Sequence, residues 1–127
     1  MVSTHAAVHQ ASLDDPEGFW AQQAELIDWE RPWDAVLDRS QPPFYRWFVS
    51  GRLNTCYNAL DRHVEAGHGG QTALIWDSPV TQSKRQYTYA ELTDEVARCA
   101  GVLAGLGVEK GDRVIVYMPM VPEAVVA

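Results

Sequence analysis

Apolar positions change period along this chain, and each period predicts a different element. Leu92, Val96, Cys99 or Ala100, Leu103 and Leu106 recur at intervals of three and four. That is the stripe of an amphipathic helix of about 18 residues. Thr88-Tyr89-Ala90-Glu91 stands before it as a capping box, S/T-x-x-E. Gly107 ends it, and Val108 is placed for the apolar contact of a Schellman end. Two shorter patterns precede this helix. Thr72 to Asp77 (TALIWD) predicts a buried strand, and Lys84 to Tyr89 (KRQYTY) its hairpin partner, across a turn opened by Ser78-Pro79. After the turn Glu109 to Asp112, Arg113 to Met118 (RVIVYM) predicts a strand apolar on both faces, as in a sheet covered by helices on both sides. Pro122 and Glu123 then open a new helix. The order helix, strand, helix is that of a parallel crossover.

The first half of the chain is less regular. Residues 1–12 lack periodicity and charge and are expected to be a loose tail, helical at most towards their end. Asp15-Pro16-Glu17 starts a helix that should close near Asp28: Asp accepts first-turn N–H groups, and Pro suits the first helical position. Residues 29–53 hold Trp29, Trp33, Trp47, Phe44, Tyr45 and Phe48, broken by Pro32, Pro42 and Pro43. Such a segment is expected to wrap over a larger body and plug its aromatics into it, without a core of its own. Asn54 or Thr55 caps a further helix to about Ala66, with Tyr57, Leu60 and Val64 on its apolar face and Gly67 as its stop.

Charge changes how the first third reads. The chain of 127 residues carries 10 Lys plus Arg against 17 Asp plus Glu, a formal net charge of −7. Residues 1–45 hold a net of −6, and residues 46–127 a net of −1. An acidic face is either plain solvated surface or a docking surface for a basic partner. No nucleic-acid partner is expected, because the basic footprint is missing. No membrane partner is expected either: the longest apolar run, Val114 to Pro122, is too short to span a bilayer. With no Lys or Arg before Arg31, no secretory or mitochondrial leader is read, and the expected location is cytoplasmic.

Candidate chemistry is sparse. Cys56 and Cys99 sit on helical segments among apolar residues and are expected to be buried thiols. With His63 or His68 they fit no common zinc spacing. His5 and His9 are spaced i, i+4 with no third ligand nearby. His63 reads as a half-buried helix residue. Gly67-His68-Gly69-Gly70 follows a helix and precedes a strand, so it reads as a helix stop and turn, not as a phosphate loop. Asp94 and Glu95 are adjacent and point different ways on a helix. Glu91 serves the cap. No P-loop, dinucleotide fingerprint, nucleophile elbow or zincin motif occurs. The residues alone therefore assign no catalytic, cofactor-binding or metal-binding position. They describe part of an α/β protein.

A resemblance adds what the motifs do not. Residues 14–38 (DDPEGFWAQQAELIDWERPWDAVLD), 42–64 (PPFYRWFVSGRLNTCYNALDRHV), 73–81 (ALIWDSPVT), 87–92 (YTYAEL) and 107–127 (GVEKGDRVIVYMPMVPEAVVA) resemble, in order and spacing, the N-terminal part of short-chain acyl-CoA synthetases. These are AMP-forming adenylating enzymes, the acetyl-CoA and propionyl-CoA synthetase group. The stretch Leu53 to His63 looks closer to propionyl-CoA synthetases. Ser50 stands where that group's pattern suggests Gly. The resemblance implies an α/β fold: a helical and irregular extension followed by strand–helix–strand units of the large domain. Beyond the loose tail at 1–12, it implies an acidic extension at 13–66 and the truncated start of the AMP-binding domain at 67–127. For the parent it implies a ligase that joins a carboxylate such as propionate or acetate to CoA through an acyl-adenylate, using ATP and Mg2+. The group's phosphate loop, acyl pocket and catalytic Lys all fall after residue 127. The fragment is accordingly expected to be inactive, of low stability, and to pack against the rest of the same domain. The competing expectations are a complete small acidic interaction module and, behind it, a small enzyme with an unrecognised site.

Overall fold

The computed structural model describes residues 4–127, which form two compact units divided between Asn58 and Ala59.

The first unit opens with two helices, α1 (His5–Asp14) and α2 (Pro16–Ala24). The loose tail expected at 1–12 is corrected from Thr4 onward, and residues 1–3 lie outside the described residues. Thr4 accepts the Ala7 N–H at 3.3 Å and so starts a helix that has no apolar stripe to announce it. None of its residues is buried, so α1 rests on local propensity and its cap. Asp15 caps α2 as expected, accepting Gly18 N–H at 3.0 Å, with Pro16 in the first turn. The helix closes at Ala24, four residues earlier than Asp28, and Ala24 is its one buried residue.

The aromatic segment also departs from expectation. It folds into an antiparallel hairpin, β1 (Ala35–Asp38) with β2 (Arg46–Val49), pairing Ala35 with Val49, Leu37 with Trp47 and Asp38 with Arg46. The prolines lie outside both strands, so they shape the connections and leave the ladder intact. An isolated bridge between Arg31 and Arg52 extends the pairing. Three aromatics turn towards one another. Trp29, Trp33 and Phe48 have ring centroids 5.0 to 5.5 Å apart, and Trp29 Nε1 donates to Ala24 O at 2.9 Å. The segment thus owns a small cluster, which corrects the expectation of none. Phe44, Tyr45 and Trp47 remain exposed. Gly51 has a fixed reason: a Cβ there would lie 2.7 Å from the Trp29 ring.

Residues 55–68 coil as expected, with Asn54 Oδ1 capping Tyr57 N–H at 3.0 Å. The winding is partly π, over Tyr57–Asp61 and Val64–His68. Leu60 is buried, and Gly67 takes the left-handed conformation with φ of 83°.

The second unit carries the hairpin β3 (Thr72–Ser78) and β4 (Ser83–Thr88), then α3 (Tyr89–Gly105) and α4 (Pro122–Val126). Both hairpin strands lie within a residue or two of their expected places. The capping box of α3 is complete. Its C-terminus is a Schellman motif: Gly107 has φ of 86°, Val108 N–H donates to Leu103 O at 3.1 Å, and Gly107 N–H to Ala104 O at 3.0 Å. Leu92 is the buried residue of α3.

Arg113 to Met118 corrects the sequence reading. The segment is not a strand, because no described residue pairs with its backbone. A strand is defined by its neighbour, and an apolar pattern supplies none.

Candidate functional site

Two of the first unit's concavities share Trp29 in their lining. One is an open groove of about 430 Å³ lined by Asp28, Trp29, Glu30, Asn54 and Tyr57. Asn58 fixes the backbone of the lining residue Asp28. Its amide donates to Asp28 O at 2.9 Å and its Oδ1 accepts Asp28 N–H at 2.8 Å, so one side chain copies a backbone pair. Asp28 and Glu30 supply carboxylates to the groove's lining. The other is an apolar cleft of about 230 Å³ between Trp20, Ala24, Ile27, Trp29, Phe48 and Leu53. It offers packing surface and no reacting group.

Three carboxylates are held below their ordinary range by local hydrogen bonds. Asp38 falls to about 2, first through Ser40 and then through Arg46, whose guanidinium lies 2.7 Å away. Asp34 is lowered by the Ser50 hydroxyl and then by Arg31. Glu91 is lowered by the Thr88 backbone N–H and hydroxyl. Each shift favours a fixed anion, whereas general-base work at neutral pH calls for a raised pKa.

The glycine loop Gly67–Gly70 faces the start of α3 with carbonyls. Tyr89 N–H donates to Gln71 O and Ala90 N–H to Gly69 O, both at 3.0 Å. Glu91 N–H goes to Thr88 Oγ1. The first-turn donors that an anion would need are all engaged. The loop is a stop and turn, as its sequence position indicates.

The remaining candidates are accounted for locally. His63 is half-buried, its ring 4.8 Å from that of Tyr89. Gln71 Nε2 lies 3.0 Å from His68 Nδ1. His5 and His9 stack on exposed α1 with centroids 6.3 Å apart. Asp94 and Glu95 both reach Arg98, at 3.5 and 3.2 Å, as exposed ion pairs. Cys56 is exposed and Cys99 half-buried, which corrects the expected burial of both thiols. Apolar neighbours in sequence bury a thiol only where another layer covers that face. Among the described residues, no group of three His, Cys, Asp or Glu side chains could hold a metal ion. None of their helices is long and apolar enough to cross a membrane.

Sequence reasoning missed the Trp76 arrangement. Trp76 Nε1 donates to Met120 O at 2.7 Å, and Arg85 lies 5.6 Å over the Trp76 ring while pairing with Glu123 at 3.0 Å. Trp76 and Arg85 are direct cross-strand partners. The hairpin register was the available signal, but nothing in the sequence ties it to residues some forty positions on.

Comparison with known proteins identifies what these two units are built like. Residues 5–59 match the acetyl-coenzyme A synthetase N-terminus, and residues 60–127 match the AMP-binding enzyme family. The chain is 51% identical, over 95% of its length, to the human mitochondrial acyl-CoA synthetase short-chain family member 3, and covers 17% of that protein. It is likewise 51% identical, over 96% of its length, to an acetyl-coenzyme A synthetase of Streptomyces avermitilis, covering 19% of it. Among solved structures, acetoacetyl-CoA synthetase from Streptomyces lividans superposes on 98% of the chain with a TM-score of 0.80 at 33% identity. That match spans 19% of the neighbour's chain. The chain therefore spans under a fifth of the length of these relatives. Its α/β arrangement is that of the synthetase's corresponding part. Its two matched blocks meet at 59/60, one residue from the division between its compact units. The chain belongs to the AMP-binding enzyme family, within the group of short-chain acyl-CoA synthetases that carry the acetyl-coenzyme A synthetase N-terminus.

Proposed function

We propose that this chain is the N-terminal portion of an AMP-forming short-chain acyl-CoA ligase. The parent converts a carboxylate, ATP and CoA to acyl-CoA, AMP and pyrophosphate. One observation carries the reading: two family matches run end to end over residues 5–127, in the order and spacing of the synthetases. The domain reading belongs to the same proposal. Residues 13–66 act as an acidic extension beyond the short lead at 1–12, and residues 67–127 start the adenylating domain.

The portion itself is inactive in this proposal. The ATP phosphates find no free donor at the start of α3, whose first-turn N–H groups are consumed. The ligand-holding groups belong to the parent's remaining length, and the role of these units is to pack against it.

Propionate is the proposed substrate, on the wording of Leu53 to His63, with acetate as the competitor. Acyl-CoA formation by the full-length parent, measured with each acid at equal concentration, tests this. Preference for propionate supports it. Preference for acetate overturns the substrate, and no activity with either overturns the ligase reading. The parent is placed in the cytoplasm, although the human relative is named mitochondrial; fractionation of cells expressing it decides.

A further inference from the structure

α1 has little to hold it as a helix. Its 10 residues fall short of the ~12–15 at which an isolated helix becomes even marginal in water. None of them is buried. The first turn has no acidic residue and the last turn no basic one, so the helix dipole finds no complement either. Local support comes from the Thr4 cap and from Gln10 Nε2, which donates to Asp14 Oδ1 at 2.8 Å.

On this helix His5 and His9 stand one turn apart on the same face, both exposed. Their rings lie nearly parallel, with planes 13° apart and centroids 6.3 Å apart. A cation held by one nitrogen of each ring at about 2.0–2.1 Å would sit roughly 3 Å from each centroid and bring the centroids to roughly 5 Å. Exposed side chains make that closure of about an ångström by turning about χ1 and χ2. The donors also select the ion. Imidazole suits Cu2+ and Zn2+, whereas Mg2+ and Ca2+ call for oxygen ligands. Asp14, the one carboxylate on α1, is engaged by Gln10. Among the described residues no third His, Cys, Asp or Glu joins the pair. Water fills the remaining coordination positions, so the ion is exchangeable.

We propose that α1 is a metal-stapled helix: His5 and His9 chelate a borderline divalent cation, Cu2+ ahead of Zn2+, and the occupied pair holds the lead of the chain helical. The helix keeps the two imidazoles one turn apart and the coil does not. Binding therefore stabilises the helix by mass action. The site takes no part in acyl transfer and stands apart from the ligase reading.

Calorimetric titration of the full-length parent with Cu2+ and with Zn2+, wild type against His9→Gln, tests it. The difference cancels every other imidazole and thiol of the parent. The wild type is expected to bind one more equivalent than the variant, more tightly for Cu2+ than for Zn2+, with no difference for Mg2+. With Cu2+ at about one hundred times the Kd of that equivalent, α1 amides should exchange ~100-fold more slowly in the wild type and at an unchanged rate in His9→Gln. His9→Gln combined with Gln10→His keeps the number of histidines and breaks their spacing, and it should behave as His9→Gln does. Both positions are exposed, and equal melting of the three proteins without added metal shows that all are folded. Equal stoichiometry in wild type and His9→Gln overturns the site. So does wild-type binding by the respaced variant, since the one-turn spacing then carries nothing. Unchanged α1 exchange with the extra equivalent bound overturns the staple.

Discussion

Thr88→Ala is the perturbation whose effect is most closely set by the geometry. The Thr88 hydroxyl accepts Glu91 N–H at 3.2 Å and donates to Glu91 Oε2 at 2.9 Å, while Glu91 Oε2 accepts Thr88 N–H at 2.8 Å. Alanine removes the first two contacts and keeps the third. The neighbouring donors of Tyr89 and Ala90 stay satisfied by Gln71 and Gly69, so the loss is confined to one first-turn donor and one exposed hydroxyl contact. An N-cap replaced by Ala costs about 1 kcal/mol, within a range of roughly 0.5–2. Local opening of the first turn of α3 should therefore rise about fivefold, within roughly 2- to 30-fold. Exchange of the α3 amides followed by NMR reads this directly. Thr88→Ser, which keeps the hydroxyl, should restore the wild-type rates. The effect also has a pH sign. Because the folded-state pKa of Glu91 is lowered from its ordinary 4.5, its share of the cap is complete above that value. That share is lost as pH falls through the depressed one. Equal exchange in Thr88→Ala and wild type, or a Ser variant as damaged as the Ala variant, refutes the reasoning.

Two further outcomes follow from the first unit. Gly51→Ala places a Cβ 2.7 Å from the Trp29 ring and 3.0 Å from Phe48 O. It should cost about 1–3 kcal/mol by overpacking, read as a lower urea midpoint in tryptophan fluorescence. Asp38 should titrate in carbon-13 NMR near 2, against an ordinary 3.8, and Ser40→Ala should raise it. The stabilisation it lends the β1–β2 hairpin is therefore present above its ordinary value and lost as pH falls towards 2; a midpoint near 4 in the wild type contradicts this.

Legibility followed range of interaction. α3 and its two ends were readable because the capping box, the stripe and the Gly107 stop all act within one helix. The β3–β4 hairpin was readable because its partners are adjacent in sequence. α1 was not, since a Thr cap and an alanine-rich turn carry no periodicity. The β1–β2 hairpin was hidden by the prolines around it, which weigh against regular structure although they fall outside the strands. Burial of Cys56 and Cys99 and pairing of 113–118 both need a covering layer, and no local pattern reports one. The same holds for the site. The residues showed that no recognised catalytic motif is present, whereas the loss of an anion site at α3 became visible only when Gln71 and Gly69 were seen on its N–H groups. The Trp76–Met120 contact joins residues far apart in sequence and left no trace in it.

The central claim is that these units belong to an acyl-adenylating ligase without holding its reacting groups. ATP–pyrophosphate exchange, dependent on added propionate or acetate, measures it most directly on the 127-residue chain beside the full-length parent. The account predicts carboxylate-dependent exchange in the parent and none above buffer in the short chain. Exchange catalysed by the short chain alone, or its absence from a folded parent with every short acid supplied, contradicts it.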